Sequence, residues 1–448
     1  MELKTVLEYA LRKAEALGVS EAEVYVREVS STSIRRAHGD LGVVKRGSML
    51  EIGVRVVINR RVAVQGGNVS ELSDVDKLVE AAVRSARVAA EDPHWKSLPR
   101  GLSKTPVEMV WDRRVVEPDV EGMVEEIRNA FALASRIDKR CHVSLIDIQL
   151  SEIRRVIGNS YGEVVDDSVT RVNALVHVKA VEGGEESGFY EYFSASTLTG
   201  FNLENMVAYA TERAASGLYA KRIETGKYSV VLISKVFASI INTLIVPAVS
   251  IEWVKKERSP LKGKLGEQVF SDAISIVDDG AAQNLASSAS FDDEGIRMQR
   301  KVVVDRGVLE GYLYDYYYSV LESKEPSGNG IRPTISSAPR PWATNFIILP
   351  GSASREDLIR DVRRGVVVYQ TIGEWLSNPV NGFLNATITN GVLIEDGEPK
   401  RAVKGVVLSG NVYELLKSKV IGVANDVDNY ANVYAPSIAL ESVVIAGK

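Results

Sequence analysis

Gly158-Asn159-Ser160-Tyr161-Gly162 has the G-x-S-x-G spacing of a serine-hydrolase nucleophile elbow. Such an elbow needs a strand before it and a helix after it, so that the serine is held up over an oxyanion hole. Glu163-Val164-Val165 reads instead as strand, and Asp167 and His177 follow too soon to be triad partners. A Gly/Asn/Ser turn between two strands is the expectation. The four histidines, His38, His94, His142 and His177, are scattered and form no H-E-x-x-H pair. His38 falls in a polar turn, His94 follows a helix-ending proline, and His142 and His177 lie on expected strands. Each reads as structural or solvated. Cys141 beside His142 suggests a thiol–imidazole pair, but neighbours on a strand point to opposite faces, so the geometry is poor.

Two acidic clusters could offer oxygen ligands to Mg²⁺ or Ca²⁺: Asp278-Asp279-Gly280 and Asp292-Asp293-Glu294-Gly295. Neither matches an EF-hand loop and both end in glycine, so turns with solvated carboxylates are expected. Tyr312, Tyr314, Tyr316, Tyr317 and Tyr318 form an aromatic run. It suits a peptide groove and a strand packed on a helix equally well. There is no G-x-x-x-x-G-K-[ST], and Gly328-Asn329-Gly330 lacks the flanking strand and helix of a phosphate loop.

The elements that would position these residues change in character along the chain. Leu3, Leu7, Ala10, Leu11, Ala14 and Leu17 recur at helical spacing, and Gly18 follows as a stop. Leu50, Ile52, Val54, Val56 and Ile58 alternate with Glu51, Gly53, Arg55, Val57 and Asn59, which predicts a strand with one face more buried than the other. It turns at Asn59-Arg60-Arg61 into a hairpin. Ser73 is positioned to cap a second helix stopping near Asp92-Pro93, and Asp119 a third. Strands are expected over 143–150, 153–157 and 172–180, and a fourth helix over 203–219. After an apolar helix at 236–251 the chain reads as short strands with glycine turns. Hairpins are expected at Asp305-Arg306-Gly307 and Glu395-Asp396-Gly397. The segment 325–341 is a long loop of the kind that is functional or mobile. The domain boundary is expected at 223–227, giving domains 1–223 and 224–448.

The composition narrows the function classes. The chain has 448 residues, 45% hydrophobic and 25% charged, which is ordinary globular usage and enough for a sizeable core. Its single cysteine excludes an intramolecular disulfide and a multi-cysteine zinc site. A net charge of −5 provides no global basic field for nucleic acid, so no direct nucleic-acid binding is expected. The 236–251 stretch is too short for a comfortable membrane span and carries Ser239, Asn242, Thr243 and Pro247. Residues 1–17 show no targeting signal, so a cytoplasmic protein is expected.

Several ordered blocks of the second half go further. They are Ser259-Pro260-Leu261-Lys262-Gly263-Lys264-Leu265-Gly266-Glu267, Phe291-Asp292-Asp293-Glu294-Gly295-Ile296 with Gln299-Arg300, and Gly307-Val308-Leu309-Glu310-Gly311-Tyr312-Leu313. The Gly328-Asn329-Gly330 loop follows. The last block is Asn390-Gly391-Val392-Leu393-Ile394-Glu395-Asp396-Gly397, running to Val403-Lys404-Gly405 and Ser409-Gly410-Asn411. With these blocks the chain resembles the TldD/PmbA family, in which PmbA is also called TldE. Its members are described as modulators of DNA gyrase and as a peptidase system. The resemblance covers 226–448, and the first half has the family's length and element order. It implies an α+β fold with an N-terminal mixed domain and a C-terminal, mainly antiparallel β domain.

TldD-type chains carry an HExxxH zinc helix and a further cysteine ligand near the C-terminus. At the corresponding positions this chain has Asn242 for the first histidine, Thr243 for the glutamate and Pro247 for the second histidine. An amide and a hydroxyl are poor zinc ligands, proline has no side-chain donor, and 421–448 contains no cysteine. The resemblance therefore implies the PmbA type: no catalytic residues and no metal in this chain, with zinc only in a TldD-type partner. The expected partners are a TldD-type paralogue in a heterodimer, or a second copy, and an unfolded peptide held as an added strand. Tyr312, Tyr314, Tyr316 and Asn329 are the peptide-binding candidates. The rival expectation is a non-proteolytic scaffold of the gyrase-modulator kind, acting on protein partners.

Overall fold

The computed structural model describes residues 1–37 and 42–447; His38 lies outside the described residues. The first half builds α1 (Leu3–Ala16), β1 (Glu21–Ala37), β2 (Val43–Ile58), β3 (Arg61–Asn68), α2 (Leu72–Val88), α3 (Arg113–Val116) and α4 (Val120–Ile137). It continues with β4 (Cys141–Asn159), β5 (Val164–Glu182), β6 (Glu185–Ala195) and α5 (Leu203–Ser216). The six strands form one antiparallel sheet in the order β3-β2-β1-β4-β5-β6. All the longer helices cover the same face. Val24, Ile52, Val54 and Val56 pack on α1 and α2, and Ile146, Ile148, Val172 and Val176 pack on α4 and α5.

Local signals held where the chemistry was local. The β2–β3 hairpin turns on Asn59 and Arg60, both with positive φ, and the Gly158–Gly162 stretch is the turn between β4 and β5. Asp119 caps α4 by accepting from the Gly122 amide. Others need correction. Glu71, not Ser73, caps α2, with Asp74 completing a reciprocal capping box, and α2 ends at Val88. The strands expected at 143–150 and 153–157 are one, because Ser151 and Glu152 keep their ladder partners Arg171 and Thr170. The second half of β2, from Glu51 to Val57, is covered on both faces, with Glu51, Arg55 and Val57 buried beside its apolar row.

The second half opens with β7 (Gly226–Leu232) and α6 (Ser234–Leu244) and is otherwise mainly strand. β7 pairs parallel with Arg364–Ile372 and antiparallel with Val433–Ala446. Phe383–Glu395 and Val406–Asn411 complete the circuit between those two strands, so five strands close on themselves. α6 buries Val236, Phe237, Ile240, Ile241 and Leu244 in the large core of this half. The expected 236–251 helix is broken. α6 stops at Leu244, Pro247–Val249 forms a 3-10 turn, and a short helix Ile251–Lys255 follows. Pro247 has no N–H to continue the α-helical ladder, which accounts for the stop.

The acidic clusters are not solvated turns. Asp278, Asp292 and Glu294 are essentially inaccessible, and Glu294 with its neighbour Asp293 joins the two halves of the chain. Arg55 on β2 donates to Glu23 on β1 at 2.5 Å and to Glu294 at 3.2 Å, and Arg332 pairs with Glu23 from the other side. Arg155 on β4 holds Asp167 at 2.6 Å and Asp293 at 3.3 Å. Asp278 is held by Lys301 at 2.9 Å and by the Thr344 amide at 2.7 Å. The 325–341 segment is drawn into the same contact. Its Ile335 carbonyl lies where a Cβ on Gly53 or Gly66 would intrude, at 2.4 and 2.6 Å.

Candidate functional site

The face of the six-stranded sheet turned away from its helices meets α6, and a groove runs between them. Alternation along the strands sends His177 on β5 and Tyr190 and Tyr192 on β6 to this face, while Val176, Val178 and Phe189 go to the helix side. The opposite wall comes from Lys235, Val236 and Ser239 on α6, with Tyr369, Trp375 and Tyr430. This part of the groove encloses about 480 Å³. A second part of about 510 Å³ continues from it through the shared walls Tyr192 and Tyr430, and is lined by Asp147, Asn173, Leu175 and Asn242.

The aromatic wall is tightly organised. The His177 ring stacks on Tyr190 with centroids 3.9 Å apart and planes within 9°, and Tyr192 continues the stack at 6.3 Å. Gly188 makes room, because a Cβ there would lie 2.9 Å from His177 Nε2. His177 Nδ1 is 2.5 Å from Ser144 Oγ. Burial, helped by Lys179 and His142, pulls the imidazole down to about 4, so it is neutral at physiological pH. Opposite it, Lys235 pairs with Glu191, donates to the Tyr192 carbonyl at 2.6 Å and lies 3.3 Å from Asp428. Burial disfavours its charge, but Asp428 and Glu191 more than compensate and hold the ammonium above its ordinary range. Trp375 and Ile372 at the rim are widely exposed. The arrangement offers apolar surface, one pinned cation and amide groups, which is the equipment of a binding groove.

The three residues expected at the HExxxH positions lie on this wall or just behind it. Asn242 lines the groove. Thr243 donates its hydroxyl to the Ser239 carbonyl one turn back, at 3.0 Å. Pro247 is buried beyond the end of α6. With an amide, a spent hydroxyl and a proline, this site does not fit zinc. Among the described residues no group of three or more His, Cys, Asp and Glu side chains is placed to hold a metal ion.

The other candidates lie elsewhere. Tyr312 and Tyr314 are interior; the first donates to the Leu261 carbonyl and the second to Glu322. Asn329 is fully buried and donates to Asp278 and to the Trp342 carbonyl. Tyr316 begins a six-residue helix, Tyr316–Leu321, and its amide donates to Glu294. None of the four lines the groove. Cys141 is buried on the helix side, 3.8 Å from the Thr211 carbonyl, and burial pushes its thiol up to about 11. Spacing alone does not single out Tyr190, Tyr192, Lys235, Trp375 or Tyr430. The available signal is Tyr190-Glu191-Tyr192, which sends two aromatic rings to one face of a strand.

Comparison with known proteins places the chain. Residues 225–447 match the PmbA/TldA metallopeptidase C-terminal domain, 22–86 its domain 1 and 113–218 its central domain. The last two share the single six-stranded sheet described above. Metalloprotease PmbA of Escherichia coli O157:H7 is 24% identical over 452 residues, spanning 100% of this chain and 95% of its own. A candidate modulator of a DNA gyrase from Thermotoga maritima superposes with a TM-score of 0.88 at 28% identity, covering 99% of this chain and 100% of that one. TldE from Thermococcus kodakarensis has the same fold, with a TM-score of 0.89 at 24% identity over 99% and 100% of the two chains. With all three family domains matched in order along its length, the chain belongs to the PmbA/TldD family.

Proposed function

We propose that this chain is the PmbA/TldE-type subunit of a TldD/TldE-type protease system, binding unfolded peptide while a partner chain bearing HExxxH supplies the zinc. The observation that carries the reading is the groove wall formed by α6. Asn242 faces the groove from the position of the first zinc histidine, and Thr243 and Pro247 leave that position without co-ligands. What remains is a long, partly apolar groove with stacked aromatic residues, suited to an extended chain of little fixed sequence. The partner is a TldD-type paralogue, and the compartment the cytoplasm. Among the described residues no helix is long and apolar enough to cross a membrane.

The test is metal analysis with reconstitution. The purified chain should hold no stoichiometric zinc after dialysis against a weak chelator and should not cleave an unfolded peptide alone. Adding the HExxxH paralogue should create or strongly raise cleavage. About one zinc per chain, or cleavage by this chain alone that survives chelation, overturns the assignment.

A further inference from the structure

The groove does not end at Asn242. Asp147 and Gln149, on its floor, are also walls of a third cavity of about 370 Å³, which reaches Arg35 on β1 and Lys45 on β2. The register explains the continuity. Tyr192 pairs with Leu175, Leu175 with Asp147, Asp147 with Arg35, and Arg35 with Val43. These residues form one row across five strands on the face opposite the helices. Four strand spacings of about 4.8 Å give a floor about 19 Å long, the length of about six residues of extended chain.

The two ends differ in chemistry. At the β6 end lie Tyr192 and the His177–Tyr190 stack. At the β2 end lie Arg35 and Lys45, both exposed and neither in an ion pair within 4 Å among the described residues. Between them Asp147 Oδ1 is shielded from solvent yet accepts no hydrogen bond among the described residues. A shielded carboxylate oxygen without a donor is costly, and a backbone N–H from a bound chain would satisfy it only once the Asp147 side chain turns outward.

We propose that a peptide lies across this floor with an apolar or aromatic residue over Tyr192 and a carboxylate about five to six residues away, against Arg35 and Lys45. The inference rests on the peptide-groove reading above and adds a substrate class to it. The carboxylate is either an acidic side chain or the peptide's own C-terminus. Exposed cations act over a Debye length of about 8 Å at physiological salt, so the preference weakens as salt rises.

The experiment uses the full chain and fluorescently labelled eight-residue peptides with Phe at position 2, read by anisotropy. The four peptides have Glu or Gln at position 7, each with a free or amidated C-terminus. Wild type should bind the best carboxylate-bearing peptide about fivefold more tightly than the amidated Gln peptide, as expected for exposed charge pairs. Loss of the preference on Glu→Gln assigns the site to a side chain, and loss on amidation to the C-terminus; both support the carboxylate site. Arg35→Glu with Lys45→Glu should abolish or reverse the preference, because the new carboxylates repel that of the peptide. Equal binding of the four peptides by wild type, or an unchanged preference in the charge-reversed variant, overturns the proposal. Tyr192→Ser and Asn242→Trp should weaken all four peptides. If those two variants bind like wild type, the peptide-groove reading itself fails. Thermal unfolding checks that each variant is folded, and because Arg35 and Lys45 are exposed the charge reversal should leave the unfolding midpoint close to wild type.

Discussion

His177 shows how far a single residue can be read from sequence. Its place on a strand is legible from the alternation around it. Its neutrality is not, because that comes mainly from burial in the fold, helped by Lys179 and by His142 on the neighbouring strand. The consequence is a pH dependence with a definite sign. The folded value of about 4 lies below the ordinary 6.5, so above pH 6.5 both folded and unfolded chains carry a neutral ring. As pH falls from 6.5 toward 4 the unfolded chain takes up a proton that the folded chain does not, and stability is lost across that window. His177→Phe should therefore show a smaller drop in unfolding midpoint between pH 7 and pH 5 than wild type. An identical drop would mean that His177 protonates freely in the fold.

At the scale of elements, α6 separates packing from chemistry. Its apolar face is buried, with Ile240 at 1% exposure, while Asn242 and Thr243 are only partly covered. Ile240→Ala removes three carbons from a filled core and should cost about 2–5 kcal/mol through lost burial and residual cavity. Thr243→Val removes a hydroxyl whose acceptor, the Ser239 carbonyl, is a helix carbonyl of the preceding turn. That change should cost less than about 1 kcal/mol and leave reconstituted peptidase activity near wild type. Thermal unfolding together with peptidase assay with the paralogue checks both. A folded Thr243→Val variant without activity would give this helix a chemical role. The helix was legible as an apolar run, and its break was foreshadowed by Pro247. The 3-10 turn and the second short helix after it depend on tertiary contacts such as the Ser250 hydroxyl donating to the Pro341 carbonyl, which no local pattern encodes.

Across the whole molecule, what sequence reading missed is what joins the halves. A charged residue on a strand normally marks the solvent face, so Arg55 suggested an open side to β2. Its partners are Glu23, 32 residues away, and Glu294, 239 residues away, and no window of sequence contains all three. The same distance hid the acidic 292–294 cluster, whose carboxylates look solvated until the first-half arginines are placed beside them. Burial makes this network sensitive to imbalance. Glu23, Arg55, Glu294 and Arg332 are two acids and two bases, all nearly inaccessible. Arg55→Met leaves a buried carboxylate uncompensated and should cost about 3–5 kcal/mol. Glu294→Leu alone leaves Arg55 with Glu23, which it already shares with Arg332, and also strips the acceptor from the Tyr316 amide. The double variant keeps Glu23 paired with Arg332 and removes one charge of each sign, so it should be more stable than the sum of the single losses by at least about 1 kcal/mol. Denaturant unfolding of the four proteins closes the cycle. Strict additivity would show that the Arg55–Glu294 contact does not couple the two halves, and that their junction rests on Arg155 and the apolar contacts around Phe291 instead.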